Sequence, residues 1–146
     1  MLRLFNTKDL PEVVEIESKT QLAPWSTDVF QRCFEAGSAC WVVELAGKIA
    51  GFTIVLMQLD EAHILNLCIH PEHQHQGWGF KLLKQVLTDI KQDRCAFVYL
   101  EVRRSNHHAI TLYKKLGFKQ IGERKGYYTL PQQEDALVFA IDLGKE

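Results

Sequence analysis

Residues 65–90 constrain this chain most: an apolar strand pattern, a proline, two glycines separated by one residue and an amphipathic helix, in that order. Leu65, Leu67 and Ile69 alternate with shorter or polar residues, as a half-buried strand requires. Pro71 stops the strand, because its nitrogen has no hydrogen to give to a ladder. Gln74-x-x-Gly77-x-Gly79 then leads into Leu82, Leu83, Val86, Leu87 and Ile90, whose spacing makes one apolar helix face. A helix start leaves backbone N–H groups unpartnered and carries partial positive charge. With Gly77 and Gly79 there, no side chain holds a ligand away, and a diphosphate fits directly on the N–H groups. The plainer alternative is that the glycines only permit a tight turn. Neither the dinucleotide fingerprint G-x-G-x-x-G nor the Gly-Lys-Ser/Thr of a P-loop is present at this loop.

The rest of the chain supplies a sheet for that unit. Residues 2–5 alternate as a short strand. Asn6 or Thr7 caps a helix to about Ser18, with Pro11 in its first turn and Leu10, Val13, Val14, Ile16 and Glu17 along it. Ser26 caps a second helix carrying Val29, Phe30, Cys33 and Phe34. Residues 40–45 and 49–59 read as a hairpin, and 62–69 as the strand entering the glycine loop. Residues 96–102 form a buried strand, Ser105 or Asn106 caps a helix ending at Gly117, and 118–122 and 136–143 are the last strands, with 127–135 a polar loop. The pattern implies an α/β (α+β) fold, a mixed, mostly antiparallel central sheet with helices on both faces. The strand–helix–strand unit around the loop implies a local parallel pair, or strands that splay there.

At 146 residues with 47% hydrophobic content the chain reads as a single domain, 1–146, with a real core. Lys and Arg (17) nearly cancel Asp and Glu (18), and no basic run marks nucleic acid as a ligand. No stretch has signal-peptide character or approaches the roughly 18 apolar residues of a membrane span, so a soluble cytoplasmic protein is expected. Cys33, Cys40, Cys68 and Cys95 form no C-x-x-C pair. Cys68 beside the loop is a buried filler or, with no strong partner pattern, a thiol nucleophile. His70, His73 and His75 lack the ligands that would complete a zinc site, and no metal is expected.

Gln74-x-x-Gly-x-Gly between strand and helix resembles the acetyl-CoA loop of the GNAT acetyltransferases. Glu101-Val-Arg-Arg-Ser-Asn106, then Ala109-Ile-x-Leu-Tyr113-x-x-Leu-Gly-Phe118, is similar to a second block of that family. Pro24-Trp25-Ser26, Tyr127-Tyr128 and Glu134-Asp135-Ala136 fit its RimI-like branch, the ribosomal-protein-alanine N-acetyltransferases, and the similarity spans almost the whole chain. The resemblance implies acetyl-CoA as cosubstrate. His75, Gln76, Gly77, Trp78, Gly79 and Phe80 would hold its pyrophosphate, the backbone of Leu67, Cys68 and Ile69 its pantetheine, and Asn106, otherwise a helix cap, its arm. Relatives often carry basic residues where His75 and Phe80 stand. CoA affinity is then lower here, or Lys81 or Lys84 compensates.

Acetyl transfer from an activated thioester to an amine needs one base and one acid, and no enzyme nucleophile. Glu101 is the candidate base, a role the resemblance assigns; its alternative is a strand-end carboxylate paired with Arg103. Tyr113 is the candidate acid, a phenol that stays protonated at neutral pH and passes its proton to the departing thiolate; its alternative is a core tyrosine. An α-amine has pKa near 7.7–8.0 and a lysine near 10.4, so deprotonation at pH 7 costs about 1 against nearly 5 kcal/mol. One glutamate suits the first task better. Trp25, Tyr127 and Tyr128 are candidates to wall a groove for a peptide N-terminus, or are ordinary aromatics. The resemblance implies the N-terminal alanine of a small-subunit ribosomal protein. The alternatives are a small amine or lysine acceptor, and a non-catalytic CoA-binding sensor.

Overall fold

The computed structural model describes residues 1–144. Among them are seven strands, β1 (Leu2–Leu4), β2 (Ala39–Leu45), β3 (Lys48–Gln58), β4 (Glu61–Ile69), β5 (Phe97–Arg103), β6 (Lys119–Tyr128) and β7 (Glu134–Asp142). The helices are α1 (Leu10–Thr20), α2 (Thr27–Glu35), α3 (Trp78–Gln92) and α4 (His107–Lys115). One sheet takes all the strands in the order β1-β2-β3-β4-β5-β7-β6. Every neighbouring pair is antiparallel except β4 with β5.

Strands buried on both faces explain the helices on both sides. In β2, Trp41 and Val43 join the core under α3 and α4, while Cys40 and Val42 join the one under α1 and α2. Leu82, Leu83, Val86, Leu87 and Ile90 of α3 are all buried. Burial of each such side chain contributes roughly 1.5–3 kcal/mol. Val13 and Ile16 of α1 and Phe30 of α2 fill the opposite core. Ser26 caps α2 by accepting the Val29 N–H at 3.3 Å.

Three readings of the sequence need correction. The first helix begins as a 3₁₀ turn, Thr7–Asp9, capped by Asn6, and becomes α-helical only at Leu10. Strand β6 runs on to Tyr128, so the connection to β7 is only 129–133 and the two tyrosines are strand residues. The many charges of β6 concealed it, because an edge strand has little apolar alternation to display. The third concerns Leu65, which lies in the α1-side core while Leu67 and Ile69 pack on the α3 side.

Gly51 in β3 lies opposite Ile69 at the end of β4. A Cβ there would stand 2.5 Å from Ile69 Cδ1 and 2.9 Å from the Cys68 carbonyl oxygen. Gly51→Ala should therefore destabilise the protein by about 1–3 kcal/mol, measured by denaturant unfolding; unchanged stability would mean that β4 shifts freely.

Candidate active site

The sheet opens between β4 and β5. Their parallel ladder runs from Glu61–Phe97 to Ile64–Leu100 and stops. At that point the β3–β4 register jumps, with Ile54 opposite Asn66 and Val55 opposite Ile64, so Leu65 is an extra, bulged residue. The bulge reverses which face the following side chains take and turns the strand away from β5. β4 stays with β3 as far as Ile69, and β5 stays with β7 as far as Arg103. Both expected arrangements therefore occur in succession: a parallel pair, then splayed strands.

The pairing fixes which backbone groups face the gap. His70 N–H bonds the Ala50 carbonyl, so by antiparallel alternation Cys68 bonds Phe52 and the groups of Leu67 and Ile69 point away from β3. Cys68 thus has no backbone group to offer there. Its thiol is buried on the α1 side, and burial holds it protonated, with Glu17 adding to the effect. Packed among Gln21, Glu17 and Asn66, the thiol fits the buried-filler reading.

At the loop, Gly77 takes φ +86°, which side chains rarely adopt, and caps α3 with no side-chain hydrogen bond. The Lys81 N–H is the first to bond back, to the Gly77 carbonyl. The N–H groups of Trp78, Gly79 and Phe80 precede any intrahelical acceptor, and no acidic residue stands in the first turn. Gly79 serves packing, since a Cβ would meet Leu112 Cδ2 at 3.3 Å and Ile69 Cγ1 at 3.8 Å. Gln74 anchors the loop by donating its side-chain N–H to the Ile69 carbonyl at 3.0 Å. His75 lies 4.8 Å from His108, ring to ring. Gln76 turns outward to the Glu72 carbonyl and does not line the cleft. Lys81 lies 4.6 Å over Trp78, and Lys84 and Lys115 flank Phe80 at 5.5 and 4.8 Å. Cations thus cluster where the sequence has an aromatic; Lys115, from α4, was not foreseen.

Glu101 and Tyr113 enter the gap from opposite sides of the sheet. Val98, Leu100 and Val102 face the α3 core, so Glu101 projects the other way. Arg103 is not its partner. Arg103 instead reaches Glu134 (3.3 Å), the Leu130 carbonyl and the Tyr128 ring (4.2 Å). The partner is His63, 2.6 Å away, whose hydrogen bond holds the Glu101 carboxyl below the usual range against the opposing effect of burial. Tyr113 comes from α4, its ring against Phe118 and Phe139, and burial raises its phenol above 10. Among the described residues nothing hydrogen-bonds its hydroxyl, which leaves that group for a ligand.

Glu101 and Tyr113 share one cleft of about 750 Å³ with Leu67, Cys68, Ile69, His75, Gly77, Trp78, Gly79, Phe80 and Asn106. Asn106 caps α4 through Oδ1, bonded by the Ala109 N–H at 3.3 Å, leaving its amide donors free of that bond. Trp25 and Tyr128 also line the cleft and Tyr127 does not. The pairing of β6 with β7 is interrupted between Arg124 and Tyr128, and Tyr127, 45% exposed, stands outside the cleft with its ring edge-on to Tyr128 at 5.1 Å and under Arg124. Sequence reading missed the α1-side floor of the cleft, which Glu17, Gln21 and Asn66 line. Glu17, 1% exposed, accepts the Trp25 N–H (2.9 Å) and the Asn66 side-chain N–H (2.7 Å), and Gln21 donates to Asn66 Oδ1 (3.0 Å). The available signal was a carboxylate on the apolar face of α1. Among the described residues no cluster of His, Cys, Asp or Glu is arranged to hold a metal, and no helix is long and apolar enough to cross a membrane.

The acetyltransferase (GNAT) family model matches residues 7–118. The chain belongs to the GNAT acetyltransferase family. It is 36% identical to the [ribosomal protein bS18]-alanine N-acetyltransferase of Escherichia coli K12, over 94% of this chain and 93% of that protein. Identity to the protein of that name from Salmonella typhimurium is 32%, over 97% of both. The crystal structure of the ribosomal-protein-S18-alanine N-acetyltransferase from Escherichia coli superposes with a TM-score of 0.92 at 34% identity, covering 98% of this chain and 93% of that one. This GNAT enzyme is an acetyl-CoA-dependent N-acetyltransferase. The glycine loop with its neighbouring lysines and the open edge of β4 fit that cosubstrate: donors for a diphosphate at one end, donors and acceptors for an amide-bearing arm at the other.

Proposed function

We propose that the enzyme acetylates the N-terminal alanine α-amine of ribosomal protein bS18. The observation that carries this is the near full-length similarity to bacterial enzymes of that specificity, set on a cleft that runs through the sheet. The cosubstrate enters from the α3 side, pyrophosphate on the N–H groups of residues 77–80, and its arm adds to the edge at Leu67 and Ile69. Asn106 supplies amide donors near the same arm. The peptide enters from the α1 side, between the Glu17-anchored loop of Trp25 and the Arg103-anchored loop at 129–133, with Tyr128 beside it. Such a substrate comes off the ribosome, which sets the reaction in the cytoplasm.

Glu101 removes one proton from the ammonium, leaving the nitrogen lone pair to attack the thioester carbonyl carbon. As the C–N bond forms and the C–S bond breaks, nitrogen loses a second proton and sulfur gains one. Tyr113 donates a hydrogen bond to that sulfur. A phenol raised above 10 is a weaker acid than a thiol near 8.5, so its main effect is to stabilise charge on sulfur while the C–S bond breaks. This modifies the simple proton-donor role expected from sequence. Assay of an Ala-initiated bS18 peptide against lysine-bearing peptides and small amines tests the proposal, together with mass spectrometry of N-termini in cells with and without the gene. Loss of the acetyl group from bS18 alone is the expected result; unchanged bS18 in the deletion strain overturns it.

A further inference from the structure

His63 stands opposite Tyr99 in the parallel ladder, one pair before the sheet opens. The two rings stack at 4.4 Å with 17° between planes. Side chains 99 and 101 project from the same face of β5, so a ring fixed on Tyr99 reaches the next side chain along. Nε2 of His63 lies 2.6 Å from Oε1 of Glu101. The Glu101 side chain is 7% exposed and His63 22%, and the carboxylate lines the cleft while the imidazole stands behind it. Arg124 and Tyr128 of β6 also bear on the carboxylate electrostatically. Among the described residues His63 is the only side chain that hydrogen-bonds it.

We infer that His63 is a positioning residue for acetyl transfer: it fixes the Glu101 carboxylate in one rotamer, Oε1 engaged and Oε2 left for the ammonium proton. This rests on Glu101 being the base. This role requires the tautomer in which Nε2 carries a hydrogen and donates it to Oε1. The proton passes from the amine nitrogen to Oε2, its bonding pair stays on nitrogen, and the carboxylic acid later returns the proton to solvent. A misaimed carboxylate would leave acetyl-CoA binding intact and slow the transfer.

Four variants test this: His63→Phe keeps a ring on Tyr99 without the N–H, His63→Gln keeps an N–H without the ring, and Glu101→Gln is made alone and combined with His63→Phe. Steady-state assay with an Ala-initiated peptide should give a kcat about 10- to 100-fold lower for His63→Phe, an unchanged KM for acetyl-CoA, and recovery of most of the loss in His63→Gln. The double variant should be no slower than Glu101→Gln alone, because His63 acts only through Glu101. Wild-type kcat in His63→Phe, equal loss in the Phe and Gln variants, or losses that multiply in the double variant would overturn the inference. Full turnover in Glu101→Gln would instead remove the base assignment beneath it.

Discussion

Glu101→Gln should lower kcat by about two to three orders of magnitude, within the range for a general base, with little change in KM for acetyl-CoA. The carboxylate projects from the face of β5 opposite the α3 core, on the substrate side of the cleft, so the cofactor contacts survive its loss. Its pH dependence follows from His63, which holds the carboxyl below 4.5 in the folded protein. Wild type therefore keeps an ionised base throughout neutral pH and loses it only as pH falls through that lowered value. The same sign applies to stability: the contribution of the depressed carboxyl is present above its unfolded pKa and disappears on acidification. On the alkaline side the deficit of the variant should shrink above pH 8, because an α-amine titrating near 7.7–8.0 then arrives without its extra proton. Pre-steady-state or steady-state rates from pH 5 to 9 measure this. A constant ratio of rates over that range would mean that Glu101 serves packing or substrate binding rather than proton removal.

Local patterns in the sequence exposed the helices, most strands and the glycine loop, because each is written in spacing along a short segment. Leu82 to Ile90 repeat at helical period and are buried as that period requires. What stayed hidden depends on pairing between distant segments. His63 and Glu101 are 38 residues apart and meet only through the parallel β4–β5 ladder. The bulge at Leu65 has no signature in an alternating Leu-x-Leu-x-Ile run, yet it separates Leu65 from Leu67 and opens the cleft. Tyr127 and Tyr128 looked equivalent as neighbours in a loop; at the irregular end of β6, where extra residues interrupt the pairing with β7, only Tyr128 lines the cleft. The role of Glu17 was half visible, as a charge in register with the apolar face of α1, but its three polar neighbours come from the α1–α2 loop and β4.

The same distinction between a side chain's burial and its use governs Tyr113→Phe, which should lower kcat by about 100-fold, the scale of losing one preorganised donor, without loss of stability. The ring stays packed on Phe118 and Phe139, and the hydroxyl removed has no hydrogen bond within the described protein, so no buried partner is orphaned. Thermal unfolding at neutral pH should be unchanged. Above pH 10 the variant should hold its stability better, because wild type loses stability as the unfolded phenol ionises while burial keeps the folded one protonated. The catalytic deficit should depend on the leaving group. An acetyl thioester of a more acidic thiol expels a sulfur that bears charge readily and needs little help, so the ratio of wild-type to variant kcat should fall towards one. KM for the peptide should stay the same throughout, because Tyr113 packs on the α3 side, away from the proposed path of the peptide. A deficit independent of the thiol, or one expressed in peptide KM, would separate Tyr113 from C–S cleavage and leave it as a wall of the cleft.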